Sequence, residues 1–101
     1  IIMNITPAKD CNSIDEVRAS IDAIDYEIIS LFALRAQYVD EIVKFKSSQE
    51  GVVAIDRQKV VLDQISRWAS EKGLDPALFS SIYQSLINKN VAHELDIFQK
   101  R

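Results

Sequence analysis

Arg35 occupies a position where the surrounding pattern predicts an apolar residue. The first half of the chain carries apolar residues at alternating steps of three and four, with a gap at position 35. The series is Ile14, Val17, Ile21, Ile24, Ile28, Leu31, Tyr38, Ile42 and Phe45. A guanidinium keeps its proton in a protein, and burying it without a partner is very costly. Arg35 therefore requires either a buried carboxylate partner or an anionic ligand enclosed by the helices.

Two further cations lie at informative distances from Arg35 along the predicted first helix. Lys46 follows Arg35 by eleven residues, which on a continuous helix returns it to within about 20° of the same face. Arg18 precedes Arg35 by seventeen residues and lies about 100° around that helix. We therefore expect Lys46 to share a pocket with Arg35, and Arg18 to serve the pocket of a second subunit.

The second half of the chain adds another cation and a carboxyl group. Arg57 begins the second predicted helix, where the chain folds back beside the Lys46 end of the first. Glu94 lies one turn beyond Asn90 on the apolar stripe of the last helix. The sequence has no glycine-rich phosphate loop, no metal-ligand spacing and no nucleophile beside a base. The pattern predicts a site that binds and orients a small polyanion by electrostatics, without covalent chemistry.

Each of these polar residues also has a structural interpretation. Arg18 could pair with a nearby aspartate on a solvated face, and Lys46 could extend its ammonium from the helix end into water. Arg57 could be a surface residue at a helix start. Arg35 and Glu94 could form a structural ion pair that specifies the register of a helical dimerisation or regulatory module.

Composition predicts one all-α domain over residues 1–101. Two glycines and two prolines leave little room for turns, and no segment alternates as a strand would. A net charge of −3 argues against a partner that is nucleic acid or an anionic membrane. No apolar run is long enough to span a bilayer and no signal peptide is visible, so a cytoplasmic location is expected. Residues 1–12 are interpreted as an N-terminal extension, in which Ile1 and Ile2 precede the natural start.

Helix start and stop signals predict three helices, with the first much the longest. Ser13 begins a helix from 14 to about 47, which Gly51 ends in a left-handed turn; a second runs from about 55 to 72 and stops at Gly73. Asp75 caps the third, from 76 to about 99. A first helix of about 50 Å exceeds the diameter of a compact chain of this length, about 30 Å. Its apolar seam therefore predicts an intertwined homodimer.

The order and spacing of these residues resemble the all-helical class of chorismate mutases, over residues 7 to 101. Within that class, several short motifs look most like the isochorismate-pyruvate lyases of salicylate pathways. These motifs are Pro7…Asp10-Cys11, Val17-Arg18, Ile21-Asp22…Ile24-Asp25, Tyr38-Val39, Phe45-Lys46, Arg67-Trp68-Ala69 and Gly73-Leu74-Asp75. The resemblance implies a dimer of three-helix subunits, the chorismate mutase type II fold, with two active sites.

The resemblance also implies a role for each candidate residue. Arg35 and Arg57 would bind the substrate carboxylates, joined by Arg18 from the other subunit. Lys46 and Glu94 would donate to the ether oxygen whose bond breaks. Gln58 and the backbone near Ala54 would contact the ring hydroxyl. Asn90 would line the end of the pocket that holds a carboxylate.

The implied reaction is the rearrangement of chorismate to prephenate, which needs no cofactor or metal. The alternative is elimination of pyruvate from isochorismate to give salicylate, and one site could support both. Many members of the class have glutamine where this chain has Glu94, and many mutases have acids in place of Gln58 and Ala54. The choice between the two dianionic substrates therefore stays open at the level of sequence.

Overall fold

The computed structural model describes residues 5–101, and all regular structure within that range is helical. The elements are a 3₁₀ turn at Ala8–Asp10, α1 at Ile14–Ile42, a 3₁₀ turn at Val43–Phe45, α2 at Gln49–Val53, α3 at Ile55–Glu71 and α4 at Pro76–Lys100. The predicted all-α class with three principal helices, the first being the longest, is confirmed. The interpretation of Ile1 and Ile2 lies outside the described residues.

The chain divides into two units, Ile1–Tyr38 and Val39–Arg101. The first holds most of α1, and the second holds the end of α1 and every later element. No helix within residues 5–101 is both long and apolar enough to cross a membrane.

α1 begins at the predicted cap and leaves its apolar seam uncovered. The Ser13 hydroxyl accepts from the Glu16 amide at 3.1 Å, and the Glu16 carboxylate accepts from the Asn12 amide at 2.8 Å. The first bond satisfies an amide that a helix start leaves without a partner, and the second ties the residue before the cap to the first turn. No residue between Ile14 and Ile42 is buried, and seam members such as Ile14 and Tyr38 are 62% and 69% exposed.

The prediction that the first helix continues to about residue 47 is wrong, because α1 ends at Ile42. Val43–Phe45 forms a 3₁₀ turn, and Lys46 follows in an extended conformation, with φ −96° and ψ 137°. The Val43 side chain is 1% exposed and belongs to the core of the second unit. The helical phase that related Lys46 to Arg35 therefore does not apply, because no continuous helix joins the two residues.

A short helix, α2, forms where the sequence predicted the end of the first helix. The Ser48 hydroxyl accepts from the Gly51 amide at 3.0 Å and caps this helix. Gly51 is thus helical, and the left-handed residue is Ala54, with φ 49° and ψ 58°. The prediction of a left-handed Gly51 is wrong, and an alanine carries the steric cost of that conformation at the α2–α3 junction.

α3 and α4 form a helical hairpin, and the residues predicted to end α3 and to begin α4 do so in the structure. Gly73 has φ 75° after α3, and Asp75 Oδ1 accepts from the amides of Ala77 and Leu78 at 3.0 and 3.4 Å. α4 packs against α3, against α2 and against the 3₁₀ turn at Val43–Phe45. Within residues 5–101, the buried apolar side chains are those of Val43, Val52, Ala69 and Ile87. Because α4 contacts every other part of this core, its inward face positions the candidate site.

Candidate active site

The buried face of α4 carries the candidate acid. Glu94 is 8% exposed and follows buried Ile87 by seven residues, which is close to two helical turns. Partly buried Asn90 lies between them on the same face. The predicted interruption of an apolar stripe by a carboxyl group is therefore confirmed as a buried acid on the core side of α4.

The backbone of Lys46 is held to the end of that helix by Arg101, which follows Glu94 by seven residues. Arg101 Nη2 donates to the Lys46 carbonyl at 2.7 Å, and Nη1 donates to the Val43 carbonyl at 3.2 Å. Seven residues correspond to about 10 Å along a helix. The main chain of Arg101 thus lies about two turns of α4 beyond Glu94, and its side chain holds the Lys46 carbonyl near that end of the helix.

The end of α1 is joined to the same helix by a second polar contact. His93 Nε2 lies 2.9 Å from Asp40 Oδ1, with both side chains more than half exposed. Asp40 beside His93, and Lys46 beside Arg101, show that residues 40–46 run along the C-terminal part of α4. The segment that carries Lys46 therefore lies along the same part of α4 that carries Glu94, and it does so without the predicted continuous helix.

The α2–α3 junction brings Ala54 and Gln58 together. The main-chain amide of Gln58 donates to the Ala54 carbonyl at 3.0 Å, and the side-chain Nε2 of Gln58 donates to the Val53 carbonyl at 2.8 Å. This second bond orients the side chain and leaves Oε1 as the atom that can accept from a ligand hydroxyl. Arg57 lies beside Gln58 in the first turn of α3 and is exposed.

Arg18 and Arg35 belong to the other unit, on α1. Arg18 is exposed and Arg35 is partly buried. Seventeen residues of continuous helix separate their backbones by about 25 Å, several times the length of one arginine side chain. Within one chain, these two residues are not brought together.

Sequence reasoning missed Arg101. Its signal was the seven-residue spacing of Ile87, Glu94 and Arg101, which places all three on one face of α4. An arginine at the end of a helix carries no local feature that distinguishes a hydrogen-bonded side chain from a solvated one.

Comparison with known proteins identifies a family that matches most of the chain. The family model for chorismate mutase type II matches residues 17–95, which include all the candidate site residues from Arg18 to Glu94. The isochorismate pyruvate lyase of Pseudomonas aeruginosa is 28% identical over 92 residues, covering 91% of this chain and 91% of that protein. Since the family match covers well over half of the chain, this protein belongs to the chorismate mutase type II family.

Proposed function

We propose that the protein is a pericyclic enzyme that rearranges chorismate to prephenate. The observation that carries this proposal is the buried Glu94 carboxyl group on the face of α4 whose end holds Lys46. A buried acid, together with the ammonium that Lys46 would supply, suits a reaction in which negative charge develops on one oxygen. Membership of the chorismate mutase type II family supports the assignment.

In this proposal the residues divide into carboxylate anchors and donors to the breaking bond. Arg35 and Arg57 bind the two carboxylates as charge-assisted partners, and Asn90 lines the carboxylate end. Lys46 and a neutral Glu94 donate to the ether oxygen.

The ring hydroxyl has its own contacts in the proposed site. Gln58 accepts from it through Oε1, near the backbone of Ala54. The Val53 carbonyl orients the side-chain amide of Gln58, because it accepts a hydrogen bond from Nε2.

The proposed rate acceleration comes from positioning and differential electrostatics. The bound substrate takes the compact conformer that holds the enolpyruvyl carbon over the ring. As the C–O bond lengthens and the C–C bond forms, charge on the ether oxygen strengthens its bonds to Lys46 and Glu94. Bonds break and form within one molecule, so the reaction requires no cofactor or metal.

A second candidate reaction is the elimination of pyruvate from isochorismate to give salicylate. The relative from Pseudomonas aeruginosa favours it, because that protein is named for this activity and matches over nearly the whole chain. The same anchors hold an isomeric dianion, and hydrogen transfer within the substrate accompanies cleavage of the C–O bond. Gln58 and Ala54 bear on the choice, because they would face the ring substituent that differs between the substrates.

Separate incubation with chorismate and with isochorismate, followed by identification of the products, tests both reactions. Prephenate from chorismate supports the first proposal, and salicylate with pyruvate from isochorismate supports the second. A folded protein that converts neither substrate would instead support a non-catalytic dimerisation or regulatory module.

We further propose that the enzyme is an intertwined homodimer in which Arg18 acts on the partner's substrate. The uncovered α1 seam supports dimerisation, and the separation of Arg18 from Arg35 along one helix supports action in trans. Mixing inactive Arg18→Ala and Arg35→Ala subunits is expected to restore activity, because each heterodimer has one site with both defects and one with neither. Differently tagged subunits verify the exchange, and mixed dimers without activity would contradict the trans assignment.

Turnover is expected to fall as the pH rises, because only protonated Glu94 can donate to the ether oxygen. Burial disfavours the charged carboxylate, whereas Arg35 and Lys46 would favour it in the proposed site, so the midpoint of the kcat profile measures the balance of these effects. Glu94→Gln keeps a donor that does not titrate, and it should flatten the profile while retaining much of the activity. Identical pH dependence of kcat in both proteins would show that Glu94 is not the donor.

A further inference from the structure

Arg101 makes a two-point contact with the segment that carries Lys46. Its guanidinium donates to the carbonyls of Val43 and Lys46 at 3.2 and 2.7 Å, the first and last residues of one turn. The same turn is closed by the Lys46 amide, which donates to the Val43 carbonyl at 3.0 Å. The guanidinium carbon lies 4.2 Å from the centre of the Phe98 ring, one turn earlier along the chain. Arg101 thus joins this turn to the end of α4.

The segment is held at its other side as well. Val43 is fully buried, and the Lys46 side chain passes beside Gly51, with Cδ 3.9 Å from the position that a Cβ would occupy. With Val43 anchored in the core and Lys46 leaving the turn in an extended conformation, the Arg101 contact determines the point from which the Lys46 side chain departs. Release of the Lys46 carbonyl would free that point to move.

We propose that Arg101 is a positioning residue for the reaction, acting through Lys46. The proposal rests on the function proposed above, which assigns Lys46 to the breaking C–O bond. Arg101 itself does not contact the substrate in this scheme. Its partners are neutral main-chain carbonyls, so the planar fork of the guanidinium matters more than its charge. A displacement of about 1 Å at a catalytic group is enough to cost about a hundredfold in rate.

The kinetic test compares Arg101→Ala and Arg101→Lys with a matched control. Lys100→Ala removes the same charge from the same end of α4, where Lys100 pairs with exposed Asp96 at 3.0 Å. We expect Arg101→Ala to lower kcat about ten- to a hundredfold with KM nearly unchanged, because alignment is lost but the carboxylate anchors remain. Arg101→Lys should recover only part of this loss, and Lys100→Ala should behave as wild type.

A double variant separates action through Lys46 from general damage to the fold. In a Lys46→Ala background, Arg101→Ala should add less than about twofold to the defect, because the group that it positions is already absent. A full additional loss of kcat there would overturn the proposal. If the wild-type enzyme is active and the Arg101→Ala and Lys100→Ala variants have the same kcat, the proposal is also overturned.

Hydrogen exchange gives a readout that does not depend on activity. We expect faster exchange at the Lys46 amide in Arg101→Ala and Arg101→Lys, but not in Lys100→Ala, because the turn has lost a restraint. Unchanged exchange in both Arg101 variants would overturn the positioning role. A wild-type protein that converts neither substrate overturns the proposed function, and the role of Arg101 with it, even if exchange responds as expected.

Discussion

Lys46→Ala is expected to lower kcat and kcat/KM by similar factors, each about 100- to 1,000-fold. This is the usual cost of removing one donor to an oxygen that becomes charged in the transition state. The effect on binding should be small, since the carboxylate anchors hold the ground state. Steady-state kinetics with the substrate that the wild-type enzyme converts provide the measurement.

Lys44→Ala is the matched control for this change. Lys44 lies two residues before Lys46, is exposed, and pairs with Glu41 at 2.8 Å on the surface. An exposed pair of this kind contributes little to stability, so the control should keep wild-type kinetics. If Lys46→Ala instead leaves kcat unchanged and only raises KM, Lys46 anchors the ground state and has no special role in the transition state.

Arg35→Leu is expected to lower kcat/KM by at least about 100-fold while the protein stays folded and keeps the oligomeric state of the wild type. Leucine matches the apolar seam of α1, so the helix keeps its periodicity, while the charge-assisted bond to a substrate carboxylate is lost. Circular dichroism and the sedimentation behaviour establish the fold and the oligomeric state, and kinetics measure the loss.

The same variant separates an enzyme from a structural module. If Arg35 serves as a structural ion pair, an apolar residue of similar size is often neutral or stabilising for a dimer. Arg67→Leu, at an exposed position on α3, controls for the change in net charge. An Arg35→Leu protein that is more stable than wild type and equally active would contradict the carboxylate-binding role.

Features that depend on short-range signals could be predicted from the amino-acid sequence. Ser13 and Asp75 accept from amides within three residues of themselves, and Gly73 adopts the left-handed conformation that ends α3. These interactions are complete within one turn of chain, so residue types at fixed offsets predict them. The placement of Glu94 on the buried face of α4 follows from helical periodicity for the same reason.

The end of α1 and the contacts that hold Lys46 depend on residues that are distant in the sequence. Residues 42–46 contain no glycine, proline or capping residue that would stop a helix locally, so the sequence pattern continues past Ile42. The observed break coincides with burial of Val43 and with hydrogen bonds from Arg101, more than fifty residues away. Core packing and distant donors outweigh helix propensity here, because the freed carbonyls find partners that the helix would otherwise supply.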